Sequence, residues 1–261
     1  MSAAFGVGSE RATRLALIVK MPAAATIELA GHVGFDYVLI DTEHGPGGMS
    51  EIEHHIRAAE CAGIRSLVRV PAAESPEILR ALDAGADGIV VPHVTARSDV
   101  ERARALTQYP PDGRRSLALS TRAGRYGTRS VAEHLEAASR ELLLIGQFED
   151  AEALGRIPEI LDGEGLDGVF IGPADLSASL GKAGQLDHPT VSGAVAQIAE
   201  AVLSTPELML GVLAGDEAEA GEWTARGASI VFVNEPALLA SSLKTIVAAI
   251  AQANGKRTAR A

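Results

Sequence analysis

In the stretch FDYVLIDTEHGPGG, residues 35–48, the ionisable side chains of Asp41, Glu43 and His44 crowd the end of an apolar run. The chain then turns away through Gly45, Pro46, Gly47 and Gly48. Carboxylates beside an imidazole are equipment for proton transfer, because histidine is the side chain that ordinarily changes charge near neutrality. Arg69 ends a second apolar run, SLVRVP. A permanent charge there is costly unless it is paired or faces an anion. Further on, GQFED supplies Gln147 and Glu149, and GPAD supplies Asp175. Two carboxylates without a cysteine or a histidine pair nearby suit a hard divalent cation such as Mg²⁺ or Mn²⁺, which keeps positions open for a substrate. Each has an alternative use as a helix cap, Glu149 for a helix beginning near Asp150 and Asp175 for one beginning at Leu176.

These residues need a scaffold that brings distant segments together. Eight short aliphatic runs recur along the chain: LALIV (15–19), YVLID (37–41), SLVRV (66–70), GIVVP (88–92), LLLIG (142–146), GVFIG (168–172), LMLGVL (208–213) and SIVFV (229–233). They do not alternate strictly with polar residues, as expected of parallel strands buried on both faces. Helical patterns such as AATIELAGHV, MSEIEHHIRAAECA and DEAEAGEWTAR lie between them. Gly34, Gly85, Gly165 and Gly227 precede strands at nearly constant offsets, where a left-handed residue closes a helix. No G-x-G-x-x-G follows the first strand, so a single (β/α)8 TIM barrel over residues 1–261 is expected rather than a dinucleotide-binding sheet. Residues 1–12 and 254–261 are expected to be flexible ends.

In such a barrel the side chains just past the carboxyl ends of the strands converge on one mouth. Asp41, Glu43, His44, Arg69, Gln147, Glu149 and Asp175 all fall there. Segment 172–175 offers backbone N–H groups for a carboxylate, or merely turns the chain into a helix. Asp83, in RALDAGADG, either pairs with a catalytic partner across the mouth or closes the last turn of its helix. His54, His55 and His134 read as helix surface. The connection 109–128 carries Arg114, Arg115, Arg122 and Arg125 among turn formers, and long loops of this kind are often functional.

Composition narrows the class. Hydrophobic residues are 47% of the 261, enough for a large core, and aromatics only 3%, so that core must be aliphatic. A net charge of −11 argues against nucleic acid or an anionic membrane as partner. One cysteine, Cys61, excludes an intrachain disulfide. The start lacks the plan of a secretory signal and no apolar run approaches the length of a bilayer span, so a cytoplasmic protein is expected.

The motifs GFDYVLIDTEHGP, LVRVP, LDAGADGIVVP, YPPDGRRS, GQFED and LDGVFIGPADLSASLG together resemble the HpcH/HpaI aldolases, the metal-dependent class II pyruvate aldolases. The resemblance runs from about Leu15 to Leu239. It implies that Glu149 and Asp175 hold a divalent metal (Mg²⁺ or Mn²⁺, with Co²⁺ as an alternative). A 2-oxo acid such as pyruvate would chelate that metal, lined by Gln147 and by the backbone of Gly172, Pro173 and Ala174. Arg69 would stabilise the enolate oxygen, His44 would move protons, and Asp41 and Asp83 would support them. Arg122 would touch the acceptor, from a loop that often reaches a neighbouring subunit's mouth. The family's hexamers, trimers of dimers, exchange the last helix between paired subunits. No Schiff-base lysine is needed, and Lys20 is the only lysine close to a strand end. Phe148, His93 and FVNEPALL depart from the family pattern and leave the aldehyde partner open.

The expected activity is reversible cleavage of a 4-hydroxy-2-oxo acid to pyruvate, or hydroxypyruvate, and an aldehyde. An acyl-CoA lyase of the citrate lyase β type is the alternative and would need a groove for CoA, for which only loop 113–129 is basic. A non-catalytic metabolite-binding protein on the same fold would not need the full set of Arg69, His44, Glu149 and Asp175.

Overall fold

The computed structural model describes residues 13–45 and 47–258. All eight aliphatic runs form strands: β1 (Arg14–Val19), β2 (Tyr37–Asp41), β3 (Arg65–Arg69), β4 (Gly88–Val91), β5 (Leu143–Phe148), β6 (Gly168–Ile171), β7 (Met209–Leu213) and β8 (Ile230–Asn234). Each pairs in parallel with its neighbours in sequence, and β8 pairs back onto β1, closing an eight-stranded barrel. Around it run α1 (Ala24–Val33), α2 (Met49–Ala62), α3 (Glu77–Asp83), α4 (Arg97–Thr107) and α5 (Val131–Glu141). Then come α6 (Ala151–Leu154), α7 (Ile157–Leu161), α8 (Pro173–Ser179), α9 (Pro189–Leu203), α10 (Glu217–Ala225) and α11 (Glu235–Thr258).

Two cores follow from the two-residue period of a strand. Ala16, Ile18, Tyr37, Leu39, Leu67, Val90, Ile145, Phe170, Ile230 and Phe232 fill the barrel. The intervening residues, such as Leu17, Val38, Ile40, Val68, Ile89, Leu144, Val169 and Val231, pack outward against the helices. Gly34 shows why a glycine closes α1: at φ 102° it is left-handed, and its N–H caps the last helical carbonyls. Phe148 belongs to the outward-facing core and is fully buried. Strand parity therefore keeps it out of the mouth, so this departure from the family pattern does not bear on the aldehyde partner through direct contact.

The C-terminal helix bears on two expectations. Helix α11 continues to Thr258, so positions 254–258 are helical, while 1–12 and 259–261 lie outside the described residues. Residues Glu235–Asn254 of that helix are long and apolar enough, by length and composition, to cross a bilayer, with mean hydropathy 1.3. Ser241, Ser242, Lys244 and Thr245 break the apolar run and hide this from a search for uninterrupted runs.

In the barrel interior Phe232 is fully buried, its ring centroid 4.3 Å from that of Phe170. Phe232→Ala should lower unfolding free energy by about 3–5 kcal/mol, the usual cost of emptying such a site. Urea unfolding measures it, and a loss below about 1 kcal/mol would show that neighbours refill the space.

Candidate active site

Tyr37 and Leu39 point into the barrel on β2, Leu67 on β3 and Ile145 on β5. Asp41, Arg69 and Gln147 occupy the next inward positions, at the mouth. Strand register sets Asp41 directly beside Arg69. The guanidinium donates twice to the carboxylate, Nε to Oδ1 at 3.0 Å and Nη2 to Oδ2 at 2.5 Å, with both residues buried. Arg69 Nη1 donates to Gln147 Oε1 at 3.2 Å, and Nε lies 3.3 Å from Glu43 Oε2. Lys20, just past β1, brings Nζ to 3.3 Å from Asp41 Oδ2, so this lysine belongs to the mouth as an ion-pair partner. Burial works against the charge on Asp41. The Arg69 guanidinium, the His44 backbone N–H and Lys20 override it and hold the carboxyl below its usual range.

The turn after β2 is tied to the same carboxylate. The N–H groups of Glu43 and His44 both donate to Asp41 Oδ1 at 3.2 Å. Asp41 thus positions the backbone of His44, not its ring. The imidazole is half exposed, with Nε2 3.8 Å from Glu43 Oε2. Glu43 is bracketed from the other side by His93, whose Nε2 lies 3.4 Å from Oε1. His93 follows β4 at the same offset by which Glu43 follows β2, a signal that points to the mouth from sequence. It ties to the next strand as well, Nδ1 lying 2.9 Å from Asp150 Oδ2. Its partial burial disfavours the charged ring, but Asp150, Glu149 and Glu43 outweigh that and raise its pKa.

Glu149 is 1% exposed and does not cap a helix, since Asp150 holds the N-cap position of α6. It accepts the backbone N–H of His93 at 3.0 Å and a hydrogen bond from Gln147 Nε2. Asp175 sits in the first turn of α8, which starts at Pro173 behind the N-cap Gly172 and not at Leu176. It is exposed, and its charge reaches Glu149. Burial is the main cause pushing the Glu149 carboxyl up; His93 and Gln147 pull it down, and Asp175 adds to the push. Gly172 permits this arrangement, because a Cβ there would stand 2.6 Å from Glu149 Oε2 and 2.9 Å from Gln147 Nε2.

The donor chemistry suits a divalent cation. Glu149 and Asp175 repel one another in a partly dry mouth, and one oxygen of Glu43 is buried without a hydrogen-bond partner. Donor atoms of Glu43, His93 and Glu149 all lie within 4.8 Å of one another. Oxygen-rich ligands with room for water or substrate are what Mg²⁺ and Mn²⁺ accept.

Two expected site residues are not brought to this mouth by their own chain. Asp83 is the last residue of α3, which runs back to where β4 begins, at the opposite end of the barrel. There Arg115 Nη2 lies 3.4 Å from Asp83 Oδ1, and burial pushes the Asp83 carboxyl up against the pull of Arg115. Arg122 is at that end too, donating from Nη1 to the Ala84 carbonyl at 2.9 Å and pairing with Glu60. Arg122 borders a cleft of about 610 Å³ that is also lined by Arg65, Arg115, Arg125 and Arg129. His134 and His55 are 3% and 7% exposed, not helix surface. The Tyr109 hydroxyl lies 2.8 Å from His134 Nε2, and His55 packs near Glu51 and Glu235.

Asp41 carries a pH signature. Its folded pKa is depressed, so its stabilisation is complete above the unfolded value of about 3.9 and is lost as pH falls through the folded one. Asp41→Asn should cost about 3–5 kcal/mol at pH 7 by leaving Arg69 uncompensated. It should also flatten the acid limb of stability against pH, followed by urea unfolding from pH 7 to 3. Identical acid limbs would take Asp41 out of that role.

Comparison with known proteins identifies the family. The chain is 37% identical over 243 residues to the pyruvate aldolase of Rhizobium etli, covering 92% of this chain and 93% of that one. It is 42% identical over 172 residues to the hydroxypyruvate/pyruvate aldolase of Sagittula stellata, covering 66% and 67%. The crystal structure of a HpcH/HpaI aldolase/citrate lyase family protein from Burkholderia cenocepacia J2315 superposes with a TM-score of 0.87 at 30% identity, over 94% of this chain and 96% of that one. Residues 14–234, the whole barrel, match the HpcH/HpaI aldolase/citrate lyase family, and the chain belongs to it.

Proposed function

We infer that the chain is a divalent-metal-dependent class II aldolase. It reversibly joins pyruvate, or hydroxypyruvate, to an aldehyde to give a 4-hydroxy-2-oxo acid. The observation that carries this reading is the buried Arg69, locked by Asp41 against the Gln147–Glu149 pair at the mouth. Carbon–carbon bond formation next to a keto group puts negative charge on the keto oxygen. A cation fixed beforehand lowers that barrier without having to reorganise. A divalent ion bound by Glu149 and Asp175 would add Lewis acidity at the same oxygen. Gln147 and Gly172 keep the floor of this pocket narrow, and the first-turn N–H groups of Ala174 and Asp175, with no carbonyl behind them in α8, are offered to the substrate carboxylate. His44, half exposed beside Glu43, is assigned the proton transfer, with Asp41 fixing its backbone. Mg²⁺ or Mn²⁺ is the proposed ion.

The acyl-CoA lyase alternative is less favoured. The arginine-bearing connection that could have bound CoA is held by Arg122 at the far end of the barrel, away from the chain's own mouth. Any catalytic contribution of Asp83 or Arg122 therefore requires a neighbouring copy. A homo-oligomer is proposed on the form of α11. Leu239, Leu243, Ile246 and Ile250 recur at spacings of four, three and four and are exposed, with Leu238 and Val247 beside them. Ser241, Lys244 and Thr245 fall on the opposite face of the helix. A bilayer span is apolar all round, whereas a stripe suits a second protein surface. The hexamer remains the proposed form.

Two outcomes are expected. Methyl protons of pyruvate should exchange with D₂O in the presence of Mg²⁺ or Mn²⁺, EDTA should stop the exchange, and Arg69→Ala should slow it by about 10²–10³, the usual value of one oxyanion donor. Absence of exchange with every divalent metal tried would sink the aldolase reading. In light scattering, Leu243→Glu combined with Ile246→Glu should reduce the mass to that of smaller units, and an unchanged mass would remove α11 from the interface.

A further inference from the structure

We propose that His93, with Glu43 beside it, adds a nitrogen ligand through Nε2 to the divalent ion assigned above to Glu149 and Asp175, and that it inclines the centre toward nitrogen-accepting first-row ions such as Mn²⁺ and Co²⁺ over Mg²⁺. The proposal rests on the metal-dependent reading above and assigns a residue that departs from the family pattern.

Three observations carry it. The first is the placement of the ring. His93 stands just past β4, its φ of 54° is in the left-handed region, and its own N–H is donated to Glu149 Oε1 at 3.0 Å. That conformation is uncommon for a residue with a side chain, and the bond to Glu149 helps hold it. The backbone of one ligand candidate is thereby fastened to the carboxylate of another. The second is the orientation of the ring. Nδ1 lies 2.9 Å from Asp150 Oδ2 and 3.5 Å from Glu149 Oε1, so a proton on Nδ1 has acceptors there, and that tautomer leaves Nε2, 3.4 Å from Glu43 Oε1, to bind an ion. A carboxylate holding the far nitrogen is the outer support found around metal-bound histidines. Asp150 has no other evident task, since it makes no side-chain cap to α6.

The third observation is the convergence of the donors. One donor atom each from Glu43, His93 and Glu149 lies within 4.8 Å of the others. Ligands about 2.1 Å from a common ion stand about 3–4.2 Å apart, so closure asks for modest side-chain shifts. The Glu43 side chain is only 11% exposed; its Oε2 makes no hydrogen bond and lies 3.3 Å from Arg69 Nε, while its Oε1 faces His93 Nε2. An imidazole nitrogen among the ligands favours Mn²⁺, Co²⁺ or Zn²⁺, while a site of oxygens alone serves Mg²⁺ equally well.

The full-length protein, stripped with EDTA and reloaded with Mn²⁺, should show ¹⁴N coupling to the bound ion in pulsed electron paramagnetic resonance. His93→Met should abolish that coupling and weaken Co²⁺ binding, read by calorimetry, by about ten- to a hundredfold or more, while Mg²⁺ binding changes less than about threefold. Asp150→Asn, which keeps the histidine, should weaken Co²⁺ binding by about tenfold. Thermal unfolding of both variants checks that they are folded. Bound Mn²⁺ without ¹⁴N coupling, or coupling that survives in His93→Met, overturns the assignment and leaves the metal-dependent reading in place. Wild-type protein that binds no Mn²⁺ overturns both.

Discussion

The mouth of this barrel depends on one buried ion pair. Asp41 and Arg69 end adjacent strands in register and face inward, where neither charge could stay without the other. Their two parallel bonds fix the arginine plane, and the remaining contacts take their direction from it. Nη1 orients Gln147, Gln147 orients Glu149, and Glu149 receives the N–H of His93. On the other side Asp41 holds the N–H groups of Glu43 and His44 and so sets the turn after β2. Four strand ends are thus linked through side chains as well as through the sheet. Such a network places catalytic groups beforehand, which is where electrostatic catalysis gets its advantage.

Much of this was readable in the amino-acid order, for physical reasons that also mark the limit. Strands buried on both faces must be continuously aliphatic, so all eight could be found, and strand parity then carries Asp41, Arg69 and Gln147 inward. A charge inside SLVRVP is too costly to be idle, and that argument found Arg69. Residues whose position depends on a helix's direction or a loop's docking were less legible. Asp83 lies in a motif adjoining β4, but α3 delivers it to the strand's starting end. The destination of Arg122 depends on a bond to the carbonyl of Ala84, a contact no local pattern announces. His55 and His134 lie in polar-looking helices and are buried because of what packs over them.

The two ends of the barrel divide the charged residues differently. The far end gathers arginines around a cleft, with Asp83, Asp87 and Glu60 among them. The mouth gathers carboxylates: Asp41, Glu43, Glu149 and Asp150 within ion-pair reach of its cations, and Asp175 close enough to perturb Glu149. Asp41 is answered by Arg69 and Lys20 together. Glu43 shares Arg69 with Asp41, and Glu149, Asp150 and Asp175 are left with His93 and the outer field of Arg69. Their mutual repulsion is strongest where water is scarce, at Glu149.

That imbalance gives the mouth its chemical direction. Surplus negative charge repels a bare 2-oxo acid, so an anionic substrate would bind poorly to these side chains alone. A divalent cation would change the sign locally and give the substrate oxygens something to meet, while Arg69 remains available to the oxygen on which charge develops. The same ion would relieve the cost of keeping Glu149 ionised under burial. Burial of Glu149 therefore makes the site a tighter trap for the cation than two exposed carboxylates would be, because more destabilisation is released when the ion arrives. The acidity that repels an oxo acid on its own is what would suit the mouth to a metal and its oxo acid together.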